Sequence, residues 1–304
     1  GIPVSDVDVW RPVSGQRRSA RDEVEAAEHP SLIVTIGGYG TFLRGVRIAA
    51  QDDVPVLGVN VGRVGFLTEI EPAAIEPALQ AIHSGQAHLD ERLMLAMCAS
   101  RTPEIPADIQ ALLQYGRGPL LPPPPQRGRS EPGDGTGVTL DVVALNDVVF
   151  EKLARDRQAS LGVYLDNTFF AAYSADALMV SSPTGSTAYN FAAGGPVLSP
   201  RQRGIVFTPV APHMVFDRSV VLAEEETVSV RVLDRSGQVA ISVDGQLRGV
   251  LDPGDWVTVY PADRRARLVR LKPADFYGRL RERFSLADAP AAIADSGPPP
   301  RLRG

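Results

Sequence analysis

An apolar run at residues 32–36 leads directly into Gly37-Gly38-Tyr39-Gly40-Thr41. Apolar residues at helical spacing then fill 42–50, and a second apolar run covers 54–59. A buried strand, a glycine turn, an amphipathic helix and a second buried strand make a βαβ unit. Strands joined by such a crossover lie parallel, so this part of the chain is predicted to form an α/β layer. Residues 70–84, with Pro72 near their start, predict a further helix closing that layer.

From about Glu91 the pattern changes to strands: 138–150, 160–165, 168–174, 178–182, 205–210, 227–233, 238–243 and 256–260. Asp166-Asn167 between two alternating runs is a tight hairpin signal. A chain of 304 residues has room for two domains. The change of period divides it into an α/β unit at 1–90 and a β-rich unit at 91–272. Within the second unit, residues 116–137 hold Pro119, Pro122, Pro123, Pro124 and Pro125 among Gly, Arg and Ser, and read as a disordered or polyproline II insertion. Residues 291–304, with Pro298 to Pro300, read as a tail.

Charge and cysteine usage narrow the function classes. The net charge of −5 offers no broad basic field for a phosphate backbone, which argues against nucleic-acid binding. No apolar run reaches the ~18 residues of a membrane span, and no signal region opens the chain, so no membrane partner is expected. The one cysteine, Cys98, lies in an alternating run at a position read as buried, which favours a reducing compartment and a cytoplasmic location. The first residue is Gly1, and the opening reads as the middle of a longer chain, trimmed or lost at its natural start.

Three motifs can carry chemistry. The Gly37–Thr41 turn lets backbone approach a ligand at a helix N-terminus and suits phosphate; alone, it serves equally as a structural turn. Ser182-Pro183-Thr184-Gly185-Ser186-Thr187-Ala188-Tyr189, six residues after Asp176, gathers hydroxyls before a small helix-compatible run; helix capping accounts for two of them. Asn146-Asp147 interrupts the apolar run 142–150, where burial is costly unless the groups are paired or bound. A satisfied cross-strand pair is the other reading.

Together these motifs resemble the NAD kinase (ATP-NAD kinase) family, in the family's order and over most of the chain. Gly37 to Thr41 is similar to its Gly-Gly-Asp-Gly-Thr turn, residues 58–68 to its next block, Asn146-Asp147 to its Asn-Asp/Glu pair, and Pro183 to Tyr189 to its Pro-Thr-Gly-Ser-Thr-Ala-Tyr. Asp176, Gly194-Gly195-Pro196, residues 208–213 and Asp244-Gly245-Gln246 complete the match.

The resemblance implies an N-terminal Rossmann-like α/β nucleotide domain and a C-terminal β-rich domain, with residues 273–290 returning to the first. It implies transfer of the ATP γ-phosphoryl group to the 2′-hydroxyl of NAD, with Mg²⁺ or a similar divalent ion, in a homodimer or homotetramer. Carried over position by position, Gly37, Gly38, Thr41 and Arg44 would bind ATP or another polyphosphate donor; Arg44 alone reads equally as part of a solvated helix face. Asn146 and Asp147 would hold the ribose and adenine side of NAD, and Asp176 the nicotinamide ribose. Gly40, Thr187, Ala188 and Tyr189 would pack on or hydrogen-bond the acceptor, with Arg157 and Gln246 as further contacts. No metal-ligand set follows from the residues.

Three departures accompany the match. Tyr39 stands where the family has the Asp that takes the hydroxyl proton and helps hold the metal; a phenol with an ordinary pKa near 10 is a poor base and a poor Mg²⁺ ligand. The family's first strand, turn and helix would precede Gly1. Ala177 follows Asp176 where the family usually has Gly. The residues fit a kinase impaired by Tyr39, a kinase of the same fold acting on another acceptor such as a nucleoside, or a catalytically inactive dinucleotide-binding homologue or engineered variant.

Overall fold

The computed structural model describes residues 4, 29–61, 67–106, 109, 137–153, 157–273 and 275–284. In chain order these hold β1 (Ile33–Gly37), α1 (Tyr39–Ala49), β2 (Val56–Asn60), a 3₁₀ turn (Pro72–Ala74), α2 (Ile75–His83), β3 (His88–Ala99), β4 (Val138–Ala144) and β5 (Asp147–Lys152). They continue with β6 (Ala159–Leu165), β7 (Thr168–Ala175), β8 (Ala177–Ser181), a second 3₁₀ turn (Gly185–Thr187), α3 (Tyr189–Ala192), β9 (Ile205–Val210), β10 (Val220–Leu222) and β11 (Val228–Val232). β12 (Val239–Val243), β13 (Gln246–Leu251), β14 (Trp256–Arg270) and α4 (Phe276–Arg283) follow.

The βαβ unit forms as its pattern predicts: β1 and β2 are parallel, with Ile33 opposite Val56 and Gly37 opposite Asn60. Two glycines set how closely α1 sits on them. A Cβ on Gly45 would fall 2.1 Å from Thr35 Cγ2, and one on Gly58 would fall 2.8 Å from the Phe42 ring. Phe42, Leu43 and Val46 are buried against Val56, Met94, Leu145 and Leu268, the apolar stripe that holds a surface helix on its sheet. The helix expected over 70–84 is shorter, because Ile70 bridges Val59 and Pro72 opens a 3₁₀ turn before α2.

An eight-stranded sheet runs β1-β2-β14-β11-β6-β7, with β3 paired to β14 and β4 to β3. A six-stranded sheet runs β10-β9-β8-β5-β12-β13. Leu95, Phe150, Leu161, Tyr173, Phe207 and Ile241 fill the core between them. β14 is far longer than the run 256–260 from which it was read. Its first half pairs with β3 at 95–99, its second half with β3 at 88–93, and Leu268 reaches Val56 of β2. The parallel layer and the antiparallel strands therefore share one sheet, and the division expected near residue 91 falls within β3.

The run 138–150, read as one strand, is two. β4 ends at Ala144 in the eight-stranded sheet, Leu145-Asn146 makes a bend, and β5 starts at Asp147 in the six-stranded sheet. Strands β10 and β13 were not anticipated. Asp166 and Asn167 both adopt positive φ, 45° and 60°, the mirror-image turn whose twist suits a two-residue hairpin. Cys98 lies in β3 as expected but is only half-buried. Asp275 caps α4 through Gly278 N at 2.8 Å; Arg279 of that helix donates to Glu69 at 3.2 Å, and the Phe284 ring lies 4.4 Å from that of Phe191. Residues 285–304, which include the tail, and the proline-rich insertion up to residue 136 lie outside the described residues.

Candidate active site

Three turns meet where β1, β4 and β8 end. The first is the glycine turn. A Cβ on Gly37 would fall 2.7 Å from Thr41 Oγ1, whereas one on Gly38 or Gly40 would have nothing within 4 Å. Gly37 is thus required by packing, and Gly38 and Gly40 leave the entrance of α1 open. No acidic residue occupies the first turn of α1, and Gly38 caps it with no side-chain hydrogen bond. Exposed N–H groups and the positive end of the helix dipole therefore remain available to an anion.

The second turn is Leu145-Asn146, with Asn146 and Asp147 both buried. Asp244 holds it: its carboxylate accepts from Asn146 N at 2.7 Å, Leu145 N at 3.2 Å and Asp147 N at 3.3 Å, and Asp244 N donates to Asp147 O at 3.0 Å. These bonds give the buried donors of the bend the partners that a sheet would otherwise supply. The third turn is the hydroxyl-rich one. Ser182 N donates to Asn146 O at 2.8 Å, and Ser182 Oγ donates to Leu145 O while accepting from Gly185 N at 3.1 Å. A Cβ on Gly185 would fall 2.0 Å from Asn146 O, so that glycine is what lets the two turns touch.

Most of the hydroxyls are spent inside the turn rather than as helix caps. Ser186 Oγ donates to Pro183 O at 2.7 Å and accepts from Leu198 N at 2.9 Å; Thr187 Oγ1 donates to Thr184 O at 3.3 Å. Neither short helix of this segment has a side-chain cap, which corrects the capping expectation. The buried hydroxyls of Thr184 and Ser181 have no hydrogen-bond partner among the described residues.

The glycine turn reaches the second turn through Tyr39. Its Oη accepts from Asn146 Nδ2 at 2.7 Å and donates to Asn146 Oδ1 at 2.9 Å. Burial pushes the phenol well above the ordinary tyrosine range, and the charges of Asp244 and Asp147 act in the same direction against the Asn146 hydrogen bond. Burial, then the charge of Asp244, pushes the Asp147 carboxyl up to about 7. Tyr189 is partly exposed; burial raises its phenol, followed by the charges of Glu151, Asp147 and Asp176. Asp176 pairs with Lys152 Nζ at 2.5 Å. Arg157 is exposed ahead of β6.

Gln246 Oε1 accepts from Arg47 Nη1 at 2.8 Å and Arg248 Nη2 at 3.3 Å. Arg47 is buried and places Nε 3.5 Å from Asp244 Oδ2. Burial lowers both guanidinium pKa values, that of Arg248 to about 9 with a further contribution from the charge of Arg47. Arg47, Arg248 and the clamping role of Asp244 were missed in the sequence. Two signals pointed to them: a charge on the apolar stripe of α1 next to Val46, and Asp244-Gly245, a strong hairpin dipeptide.

Among the described residues no group of three or more His, Cys, Asp or Glu is arranged to hold a metal ion. Of the nearby carboxylates, Asp244 is committed to backbone N–H groups and faces Arg47.

Comparison with known proteins decides the family. The ATP-NAD kinase N-terminal domain matches residues 10–87, and the ATP-NAD kinase C-terminal domain matches residues 145–271. NAD kinase 1 of Streptomyces coelicolor is 60% identical over 299 residues, covering 98% of this chain and 82% of its own. The chain belongs to the ATP-NAD kinase family. It is a kinase, a phosphotransferase that uses ATP to phosphorylate NAD to NADP. NAD kinase 1 of Streptomyces avermitilis is 61% identical over 295 residues, 97% of this chain and 82% of its own. The fold is shared with yeast NADH kinase complexed with NADH, at TM-score 0.68 and 23% identity, over 88% of this chain and 69% of that one. It is also shared with an NAD kinase from Archaeoglobus fulgidus in complex with ATP, at TM-score 0.61 and 22% identity, over 86% and 85%. In this kinase the Leu145–Asn146 bend opens the C-terminal family region, and the glycine turn lies in the N-terminal one.

Proposed function

We propose that the three turns form one phosphoryl-transfer site whose acceptor is the adenosine-ribose 2′-hydroxyl of NAD, and that Tyr39 makes its chemistry slow. The observation that carries this reading is the hydrogen bonding of Tyr39, in the glycine turn, to Asn146, in the second turn; groups bound by the two turns lie within reach of each other. Gly37, Gly38, Thr41 and the N–H groups that open α1 receive the ATP phosphates, with Arg44 one turn further along. Asn146 and Asp147 hold the ribose and adenine side, Asp176 the nicotinamide ribose, and Gly40, Thr187, Ala188 and Tyr189 pack on or hydrogen-bond the acceptor. Arg157 and Gln246 lie at its margin.

In the reaction the 2′-oxygen forms a bond to the γ-phosphorus, the bond from that phosphorus to the β–γ bridging oxygen breaks and leaves ADP, and the hydroxyl proton passes to a water molecule. Positioning and electrostatics supply most of the catalysis in such a transfer. A protonated phenol cannot take the proton, and a positioned base contributes about 10² to 10⁴ in rate. Mg²⁺ or a similar divalent ion bound with ATP would neutralise phosphate charge on the donor.

A second reading, a dinucleotide-binding homologue without transfer activity, is favoured by the same residue, since Tyr39 alters the chemistry and leaves the other two turns intact. We also place the protein in the cytoplasm as a homodimer or homotetramer. The exposed Phe170 and Phe216, whose ring centroids lie 5.5 Å apart, offer an apolar surface for a second copy. Among the described residues no helix is long and apolar enough to cross a membrane.

Calorimetric titration with NAD, NADP, ATP and a panel of nucleosides, followed by a phosphorylation assay on whatever binds, tests the reading. Binding of NAD and ATP with slow formation of NADP is the expected result. Binding without any product selects the inactive homologue, and a nucleoside that binds while NAD does not overturns the acceptor assignment.

A further inference from the structure

We infer that Asp244, Arg47 and Gln246 are positioning residues, a charged bracket that fixes the Asn146–Asp147 bend relative to the helix of the glycine turn. The inference rests on the reading of Asn146 and Asp147 as acceptor ligands, and it changes the role of Gln246 from an acceptor contact to a tether.

The bracket is built on the β12–β13 hairpin. Asp244 and Gly245 both have positive φ, 48° and 72°, so the hairpin turns in two residues and projects Asp244 towards the bend. The Asp244 side chain has no exposed surface. Its oxygens accept the backbone N–H groups of Leu145 and Asn146, and hydrogen bonds to a buried carboxylate are among the stronger ones a protein makes. A carboxylate in that position needs a counter-charge, which Arg47 Nε supplies at 3.5 Å.

Arg47 belongs to α1, whose first residues are the glycine turn itself, and its Nη1 is tied to Gln246 Oε1 at 2.8 Å. One guanidinium therefore touches both ends of the hairpin turn from the helix that opens at the donor side. Movement of α1 along its axis would break the Gln246 bond or remove the charge from Asp244, and the bend would lose its clamp. Arg248 reinforces the same oxygen of Gln246 at 3.3 Å. The bond to Gln246 uses its carbonyl oxygen, whereas an amide contact to an acceptor would draw on its N–H₂ group; that difference makes the assignment testable.

The test uses Asp244→Asn, Gln246→Leu and Gln246→Glu in the full chain. Glu keeps oxygens for Arg47 and Arg248 but has no N–H to give a ligand. Hydrogen–deuterium exchange without ligand should show the amides of residues 145–147 exchanging about tenfold faster in Asp244→Asn and Gln246→Leu, a typical coupling between contacting residues, and near the parent rate in Gln246→Glu. Calorimetry should show NAD binding about tenfold weaker in Gln246→Leu and restored in Gln246→Glu. Unchanged exchange at 145–147 in every variant overturns the bracket, as does a Gln246→Glu variant that binds NAD as weakly as Gln246→Leu. If Asp244→Asn does not fold, the Gln246 pair decides alone. A parent chain that binds no NAD refutes the acceptor reading, and the exchange rates still decide the bracket.

Discussion

Tyr39 Oη is 2.7 Å from Asn146 Nδ2 and 2.9 Å from Asn146 Oδ1, so one phenol engages both ends of one amide across 107 residues of sequence. The tyrosine thus points to the bend that holds Asn146 and Asp147, and it occupies an amide that the family resemblance assigns to a ribose. Replacing Tyr39 with Asp should release that amide and supply a base, raising NADP formation by at least ~10²-fold. Turnover of both forms at matched NAD, ATP and Mg²⁺ checks this; equal rates would mean that another group takes the proton.

Asn146→Ala removes the amide from the phenol and from any ribose while leaving the Asp244 clamp on the backbone. Calorimetry should show adenosine ligands bound more weakly by about 1 to 3 kcal/mol, the cost of an unpaired buried partner. Unchanged affinity would exclude Asn146 from the acceptor site.

Asp147 gives the site a pH dependence of defined sign. Its folded pKa, about 7, lies above the ~3.9 of an unfolded carboxyl, so the folded state holds the proton more tightly between those values. Stability is therefore lost as pH rises from about 4 to about 7, by up to about 4 kcal/mol, and changes little above that through this group. Thermal melts from pH 4 to 8 should show this fall in the parent and a flatter profile in Asp147→Asn. Parallel profiles would disprove it.

The glycines separate packing from ligand approach. Gly185→Ala would place a Cβ 2.0 Å from Asn146 O and should lower stability by about 1 to 3 kcal/mol, the usual range for overpacking. Gly38→Ala adds a methyl with nothing within 4 Å; its melting temperature should match the parent while its KM for ATP rises. A Gly38→Ala variant with unaltered ATP kinetics would remove that glycine from the donor site.

The sequence alone determined the βαβ unit, the Asp166-Asn167 hairpin and the three motifs of the site, because each depends on side-chain period or on backbone freedom within a few residues. The tertiary structure decided where the chain breaks and what the motifs touch. Residues 138–150 read as one strand, since the bend at Leu145-Asn146 is made by a carboxylate that arrives almost a hundred residues later. The reach of β14 to Arg270 depends on β3 as a partner, and pairing register is a property of two strands rather than one. Arg47 shows the same limit. Its place on an apolar stripe is a signal that the sequence reading missed, and Asp244 and Gln246 became its partners only when the six-stranded sheet brought the β12–β13 hairpin against α1.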